Sequence, residues 1–206
     1  MQKVHRWQYQ FLGTSSLPKS VSPVELQAFF TFGDEELAAL RTRRKDTLKI
    51  AAAVQLGFLK MSGCPLSDLK SIPLRLLRHV AQQLDVAPVS IATLRSLYER
   101  PKTRYEHQWW AMQVLGFRKP EKRDLLLLPG YLASEARNAP SIDVLMQRTT
   151  LWLYQRKFTG LPPSDIRAFA SEAMALSEQG LYALVRNALG DKTLQQWTSA
   201  VIKARE

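Results

Sequence analysis

The period of the apolar residues constrains this chain more than any other feature of the sequence. From Pro23 onward, apolar side chains recur three and four positions apart, as in Leu48–Leu59, and this spacing is typical of one buried helix face. β-Branched residues form no sustained alternating run, whereas the strong helix formers Ala, Leu, Gln, Glu, Lys and Arg dominate. We therefore predict an all-α, multi-helical fold with two small helical subdomains.

Several sequence signals predict where individual helices begin. Ser22 precedes Pro23, so we expect Ser22 to cap a helix whose first residue is a proline, a position that needs no N–H partner. Asp34 is the predicted N-cap of the next helix. Thr103 and Glu106 have the spacing of a capping box, which predicts a helix that begins at Thr103.

The charge of the chain is unevenly distributed. The net charge is +11, from 29 basic and 18 acidic residues. Residues 1–120 contain 18 basic and 9 acidic side chains, whereas residues 121–206 contain 11 and 9. A concentration of positive charge in one part of a chain favours a surface that faces a polyanion such as nucleic acid.

Membrane and secreted classes fit the sequence poorly. No segment approaches the roughly 18 consecutive apolar residues of a membrane span. The segment Met1–Gly13 lacks the apolar region and small-residue cleavage site of a signal peptide. The lone cysteine, Cys64, excludes an internal disulfide and is compatible with a reducing compartment. We expect a cytoplasmic protein with no membrane partner.

Catalytic chemistry is also poorly represented. The histidines His5, His79 and His107 are widely spaced and form no metal-binding pair on a helix face, and no glycine-rich phosphate loop is present. We predict no catalytic residue, no metal site, no cofactor and no enzyme activity for this chain. The tryptophans Trp109, Trp110, Trp152 and Trp197 are predicted to fill the core rather than to stack on bases.

The segment Arg78–Tyr98 has the pattern of a helix-turn-helix-like hairpin. Ala81 is the small residue expected where two helices cross, and Asp85 stands in the turn, where a residue that tolerates a positive φ is needed. Ser90 can cap the second helix, and Leu94 is expected to pack that helix back on the first. An ordinary helical hairpin remains the alternative.

Exposed positions of this hairpin and nearby basic clusters are the candidate DNA contacts. An arginine such as Arg95 can donate two parallel hydrogen bonds to guanine in the major groove. Four basic residues within Arg41–Lys45 exceed what a helix dipole explains, and phosphate oxygens would relieve their repulsion. For His107, a packed or solvated histidine is the alternative. The predicted DNA-binding residues are Arg41, Arg43, Arg44, Lys45, Lys49, Ser90, Thr93, Arg95, Arg100, Lys102, Arg104, His107, Arg118 and Lys119.

The chain is accordingly predicted to contain three segments. Residues 1–22 form an irregular N-terminal arm. Residues 23–119 form a basic helical DNA-binding domain, and residues 120–206 form a second helical domain with an auxiliary DNA-binding or interaction role. The boundary is placed at Phe117–Pro120, whose sequence is typical of a hinge.

Two segments of this chain carry distinctive motifs. Phe30–Gly63 contains an aromatic-Thr pair, an acidic helix start, an Arg-Arg turn, the pattern A-x-Q-L-x-(F/Y)-L-(K/R), and a final glycine. Pro101–Arg118 contains T-R-x-E-H followed by L-G-(F/L)-R. Together the two motifs resemble the N-terminal region of replicative transposases of the Tn-three family. The likeness covers about residues 24–185 and weakens after Pro120.

The resemblance implies a helical region that binds the double-stranded terminal inverted repeats of a transposon. It also implies that the Asp-Asp-Glu catalytic core of such a transposase lies beyond residue 206. Asp85 departs from the family pattern, which has a glycine in that turn. The alternative is a stand-alone regulatory or protein-interaction module of a transposition system. Beside DNA, the candidate partners are a second copy of the chain and the remainder of a transposase.

Overall fold

The structure, a computed structural model, describes residues 6–67, 69 and 71–203. The regular secondary structure of these ranges is helical, with no strand among the described residues, and an isolated bridge pairs Arg118 with Phe158. The prediction of an all-α, multi-helical fold is confirmed. A 3-10 turn at Arg6–Phe11 is followed by α1 (Pro23–Phe29), α2 (Asp34–Arg41), α3 (Asp46–Ser62), α4 (Leu74–Leu84), α5 (Ile91–Tyr98), α6 (Pro101–Leu115), α7 (Lys122–Leu125), α8 (Leu128–Ala136), α9 (Ile142–Gln155) and α10 (Pro163–Lys203), which is kinked at Gly190.

The predicted start of α1 is confirmed. The Ser22 hydroxyl accepts a hydrogen bond from the Glu25 N–H at 3.3 Å, and the Glu25 carboxylate accepts one from the Ser22 N–H at 2.8 Å. Pro23 occupies the first helical position. This reciprocal pair satisfies two backbone donors that a helix start otherwise leaves without partners.

Two predicted helix starts are wrong by one to three residues. Gly33 is the N-cap of α2, and Asp34 is its first helical residue. Helix α6 begins at Pro101 rather than at Thr103, and its N-cap makes no side-chain hydrogen bond. The proline explains the second error, since its fixed φ favours the first helical position and starts the helix before the capping-box threonine is reached.

Helix α3 is the central element of the first part of the molecule. Every residue from Ile50 to Ser62 except Lys60 is buried, and α1, α2, α4, α5 and α6 all pack against this helix. Small residues permit this close approach. The ring of Phe30 occupies the place that a β-carbon on Gly57 would take. Ala53, one turn before Gly57, extends the same small-residue surface along the helix.

A buried amide ties the loop after α3 to its neighbours. Gln55 donates from Nε2 to the Leu66 carbonyl oxygen at 3.0 Å and accepts from the Leu66 N–H at 3.1 Å. Gln108 on α6 donates to the same carbonyl at 2.8 Å. Because both ends of this buried amide are paired, its hydrogen bonds compensate for its desolvation and fix the loop.

The predicted turn of the α4–α5 hairpin is present. Asp85 adopts a left-handed conformation with φ 55°, and the Val86 N–H donates to the Ala81 carbonyl at 3.1 Å. Ser90 caps α5, as predicted, by accepting from the Thr93 N–H at 3.0 Å. The packing differs from the expectation, because α5 lies chiefly against α6 and α3, where Leu94 is buried. Since α3 already forms the centre of the core, it takes up the apolar face of α5.

Much of the predicted arm packs into the core. Phe11, Leu17 and Val21 are buried, and the ring of Phe11 meets that of Phe29 edge-on at 5.8 Å between centroids. Residues 1–5 of the arm lie outside the described residues.

The chain divides into two compact units. Unit 1 comprises residues 1–121 and 150–162, and unit 2 comprises residues 122–149 and 163–206. The sequence-based division between residues 119 and 120 is linear, so it cannot represent the return of residues 150–162 to unit 1.

Within unit 1 the returning segment is held by specific contacts. The Tyr154 hydroxyl donates to the Lys60 carbonyl at 2.6 Å. The Arg118 N–H donates to the Lys157 carbonyl at 2.9 Å, and the Thr159 N–H donates to the Arg118 carbonyl, also at 2.9 Å. Unit 1 is therefore completed by residues distant in sequence.

Unit 2 is built mainly by the packing of α8 on α10, where Leu132, Ile166 and Ala170 are buried. An ion pair of 2.7 Å joins Arg148 to Glu135. None of the described helices is both long and apolar enough for a membrane crossing.

Candidate DNA-binding surface

The α2–α3 turn carries the densest group of cations, which we call the turn cluster and define as Arg41, Arg43, Arg44 and Lys45. Arg41, Arg44 and Lys45 are exposed. Lys49, one turn into α3, pairs instead with Asp46 at 2.8 Å. Three cations of the turn cluster thus face solvent, whereas Lys49 already has an acidic partner.

Arg43 connects the turn cluster to α6. Its guanidinium lies 4.5 Å from the centroid of the Trp110 ring, and its Nε is buried without a hydrogen-bond partner in the described part of the chain. Burial lowers the pKa of Arg43, while Tyr98 and Glu106 act to raise it. An arginine so placed stays protonated near neutral pH, so it holds positive charge beside α6.

The solvent face of α5 carries the residues predicted to read bases. Thr93 and Arg95 are exposed, and Arg95 donates from Nε to the Leu69 carbonyl at 3.1 Å. The exposed Ser90 hydroxyl is engaged in capping and lies 2.8 Å from the Thr93 hydroxyl. Ser90 therefore has a structural role that any DNA contact would have to share.

The start of α6 places two predicted cations at the surface. Arg100 and Lys102 are exposed, and Arg104 is half-buried. Lys102 lies 4.0 Å from Glu106, a distance at which an exposed pair contributes little. Arg100 and Lys102 thus remain available to an anionic ligand.

The prediction for His107 is wrong. Its side chain is only 2% exposed, and its Nδ1 lies 2.9 Å from the Tyr98 hydroxyl, which donates to the Ala51 carbonyl at 3.1 Å. Because that carbonyl can only accept, Nδ1–H is the donor to Tyr98. Burial, followed by the charge of Arg43, lowers the pKa of His107 to about 4. A buried neutral imidazole joins α6 to α5 and cannot contact phosphate.

Arg118 and Lys119 lie apart from the turn cluster. Together with Arg156 and Lys157, which follow the end of α9, they form what we call the bridge cluster. The Arg118 guanidinium lies 4.7 Å from the Phe158 ring centroid, and the Lys157 ammonium lies 4.8 Å from that of Phe117. Burial and the nearby Lys60 lower the pKa of Lys157.

The two clusters mark different ends of α3. Ala51, near the start of α3, contacts Tyr98 beside the turn cluster, whereas Lys60, near its end, contacts Tyr154 beside the bridge cluster. The rise of an α-helix puts these two residues roughly 13 Å apart. Sequence reasoning missed Arg156 and Lys157, because a linear count of charge cannot show that α9 returns to α6.

A further feature that sequence reasoning missed is an aromatic stripe on α6. Tyr105 is 63% exposed and Trp109 is 53% exposed, so the prediction that Trp109 fills the core is wrong. The prediction for Trp152 is confirmed, since it is 3% exposed, and Trp110 packs against the core. Trp197 lies outside the described side chains. The exposed residues at helical spacing, which we call the α6 stripe, are Lys102, Tyr105, Trp109 and Gln113.

Comparison with known proteins places this chain in a family. A family model described as "Domain of unknown function (DUF4158)" matches residues 9–173. The chain belongs to this DUF4158 family. The matched range contains the turn cluster, α5, the α6 stripe and the bridge cluster.

The curated relatives of this DUF4158 chain are transposases. The chain is 34% identical over 199 residues to the transposase for insertion sequence element IS1071 in transposon Tn5271 of Comamonas testosteroni. This match covers 97% of this chain and 20% of that relative. It is 32% identical over 82 residues to the transposase for transposon Tn1546 of Enterococcus faecium, covering 40% and 8% of the two chains. It is 34% identical over 92 residues to the transposase for transposon Tn501 of Pseudomonas aeruginosa, covering 45% and 9%.

These matches confirm the resemblance to the N-terminal region of Tn-three family transposases. The DUF4158 chain spans about a fifth of the length of the IS1071 transposase.

Unit 2 of this DUF4158 chain has a different surface. Its α8 and α10 border a cavity of about 730 Å³, at which Leu176, Leu181 and Leu184 are lining residues and are each exposed by at least 60%. Across the described part of both units, no group of three or more His, Cys, Asp or Glu side chains is arranged to hold a metal ion.

Proposed function

We propose that this chain is the DNA-binding, non-catalytic part of a transposase and that it binds the double-stranded terminal inverted repeats of a transposon. The observation that carries the proposal is the 34% identity to a transposase over 97% of the chain. The chemistry of strand cleavage and transfer would then belong to parts of a transposase that this chain does not match.

The distribution of charge supports a polyanionic partner for unit 1. Unit 1 contains 20 basic and 10 acidic residues, whereas unit 2 contains 9 and 8. Attraction to phosphate accounts for most sequence-independent affinity for DNA. We therefore assign the phosphate contacts to unit 1, with residues 23–119 as the DNA-binding domain and residues 120–206 in an auxiliary role.

Within unit 1, α5 is the proposed reader of bases. It is short, and it presents Thr93 and Arg95 to solvent on the two flanks of the buried Leu94. The Arg95 bond to the Leu69 carbonyl orients its guanidinium, and an oriented fork favours bidentate recognition of guanine. The turn cluster and Arg100 would hold phosphates on either side of the groove.

A footprint of the full chain on candidate inverted-repeat ends tests this proposal. We expect protection of a defined sequence, with a scrambled duplex of the same composition bound far more weakly. Arg95→Ala should relax base preference, whereas Lys45→Ala should weaken binding to all duplexes about equally. Equal affinity for every duplex, measured by competition, would refute sequence-specific recognition.

A protein-interaction module is the second candidate, and the exposed leucines of unit 2 favour it. This candidate predicts that the chain forms an oligomer with rising concentration and that Leu181→Glu abolishes the oligomer. It also predicts that the chain has no affinity for duplex DNA at low salt. Analytical ultracentrifugation beside the footprint separates the two candidates.

A further inference from the structure

The α6 stripe places two aromatic rings in solvent, one helical turn apart. Tyr105 and Trp109 are four residues apart, so their β-carbons lie about 6 Å from each other on one face. The opposite face of α6 buries Ala111 and His107. Tyr105 and Trp109 therefore contribute little to the core, although large aromatic side chains gain most when they are removed from water.

The α6 stripe carries one cation and lies beside the turn cluster, with the exposed Glu106, 4.0 Å from Lys102, as an acidic neighbour on the same face. Lys102 precedes the two rings on the same face, and Arg43 lies along one flank, stacked on Trp110. Arg43 belongs to the turn cluster, whose other three cations are exposed. Exposed aromatic rings beside fixed cations suit a ligand that has both flat apolar faces and negative charge.

We propose that the α6 stripe binds single-stranded or locally unpaired DNA, with bases stacked on Tyr105 and Trp109 and phosphates held by Lys102 and the turn cluster. A paired duplex hides the faces of its bases, so only unpaired bases offer surfaces to such rings. The inference goes beyond duplex recognition by α5, and it rests on the proposed function only for the phosphate contacts of the turn cluster.

Binding of a fluorescein-labelled oligothymidylate to the full chain, followed by anisotropy, tests the inference. We expect Tyr105→Leu and Trp109→Leu each to weaken oligothymidylate binding roughly tenfold, because stacking on one aromatic side chain typically contributes that much or more. Trp109→Phe should retain most of the affinity. Saturating oligothymidylate should also quench tryptophan emission of the unaltered chain, and Trp109→Phe should reduce this quenching.

Matched controls make each outcome decisive. Tyr182→Leu removes a tyrosine of similar exposure, 62%, from unit 2 and should leave oligothymidylate binding unchanged. A fully paired duplex of equal length should bind the Leu variants almost as well as the unaltered chain. A duplex with an unpaired internal loop should lose affinity as oligothymidylate does.

Three results would overturn the inference. One is an unaltered chain that does not bind oligothymidylate. Another is normal oligothymidylate binding by Tyr105→Leu and Trp109→Leu. This result would also overturn the inference if the two variants lost self-association alone. The third is an equal loss for paired and unpaired DNA, which would assign the rings to groove contacts. If oligothymidylate binds through the rings but no duplex is recognised, the inference holds and the proposed function fails.

Discussion

Helices α3 and α10 show how the two units differ. Both are rich in alanine and leucine, yet α3 is buried from Ile50 to Ser62 except at Lys60, whereas α10 leaves Leu181 and Leu184 exposed. Five helices surround α3, while α8 is the main partner of α10. The difference teaches that burial is decided by the number of neighbours the fold supplies, and that apolar content alone does not identify a core helix.

The largest expected effect that tests this comparison is the loss of a leucine. Leu56 on α3 is fully buried, so Leu56→Ala should lower the free energy of unfolding by about 2–5 kcal/mol. Leu184→Ala on α10 should change it by no more than about 0.5 kcal/mol, since that side chain is mostly exposed. Urea denaturation measures both, and equal costs would contradict the contrast.

The second prediction concerns pH and His107. Its pKa in the folded chain, about 4, lies below the ordinary value of 6.5, so the unfolded chain takes up the proton first as pH falls. The contribution of neutral His107 to the free energy of unfolding is therefore complete above about pH 6.5 and is lost as pH falls toward 4. This contribution is on the order of 3 kcal/mol.

Urea denaturation at several pH values measures this loss, and His107→Gln should remove most of it. Unit 2 carries none of the three histidines, so its unfolding should lack this component. An unchanged pH profile in His107→Gln would show that other groups are responsible.

Adding a methyl group to a helical glycine should have opposite signs in the two units. Gly57→Ala collides with the Phe30 ring and should destabilise unit 1 by about 1–3 kcal/mol. Gly130→Ala on α8 meets no atom within 4 Å and should stabilise unit 2 by up to about 1 kcal/mol. Thermal unfolding of the two variants decides, and the comparison fails if both changes have the same sign.

The smallest predicted effect concerns surface charge. Arg44→Glu in the turn cluster should weaken duplex binding roughly tenfold, because it replaces a phosphate partner by a repelling charge. Arg137→Glu makes the same exposed change in unit 2 and should alter binding much less. Anisotropy with a labelled duplex at two salt concentrations measures both, and similar losses would show that unit 2 contacts DNA as well.

Local rules predicted the features that depend on few neighbours. The cap at Ser22, the proline at the start of α1 and the left-handed Asp85 follow from chemistry within a few residues. The general position of α4 and the end of α5 at Tyr98 follow from apolar spacing.

Features that depend on distant packing were not predictable in the same way. Aromatic side chains occur on both faces of α6, so their period did not reveal that Trp110 faces the core and Trp109 faces solvent. The burial of His107 required knowledge that Tyr98 approaches it from α5. Among the candidate site residues, charge or capping led the sequence analysis to propose those on α5 and in the α2–α3 turn, whereas Tyr105 carried no local signal.

The return of residues 150–162 to unit 1 has a consequence for synthesis. A ribosome completes Phe117 well before it makes Tyr154, whose ring lies 5.7 Å from that of Phe117 in the finished unit. Until then the nascent chain carries the end of α6 without its cover, while residues 122–149 emerge in between. Unit 1 therefore cannot close during translation until residues 150–162 have left the ribosome, and its last apolar surface stays uncovered in the meantime.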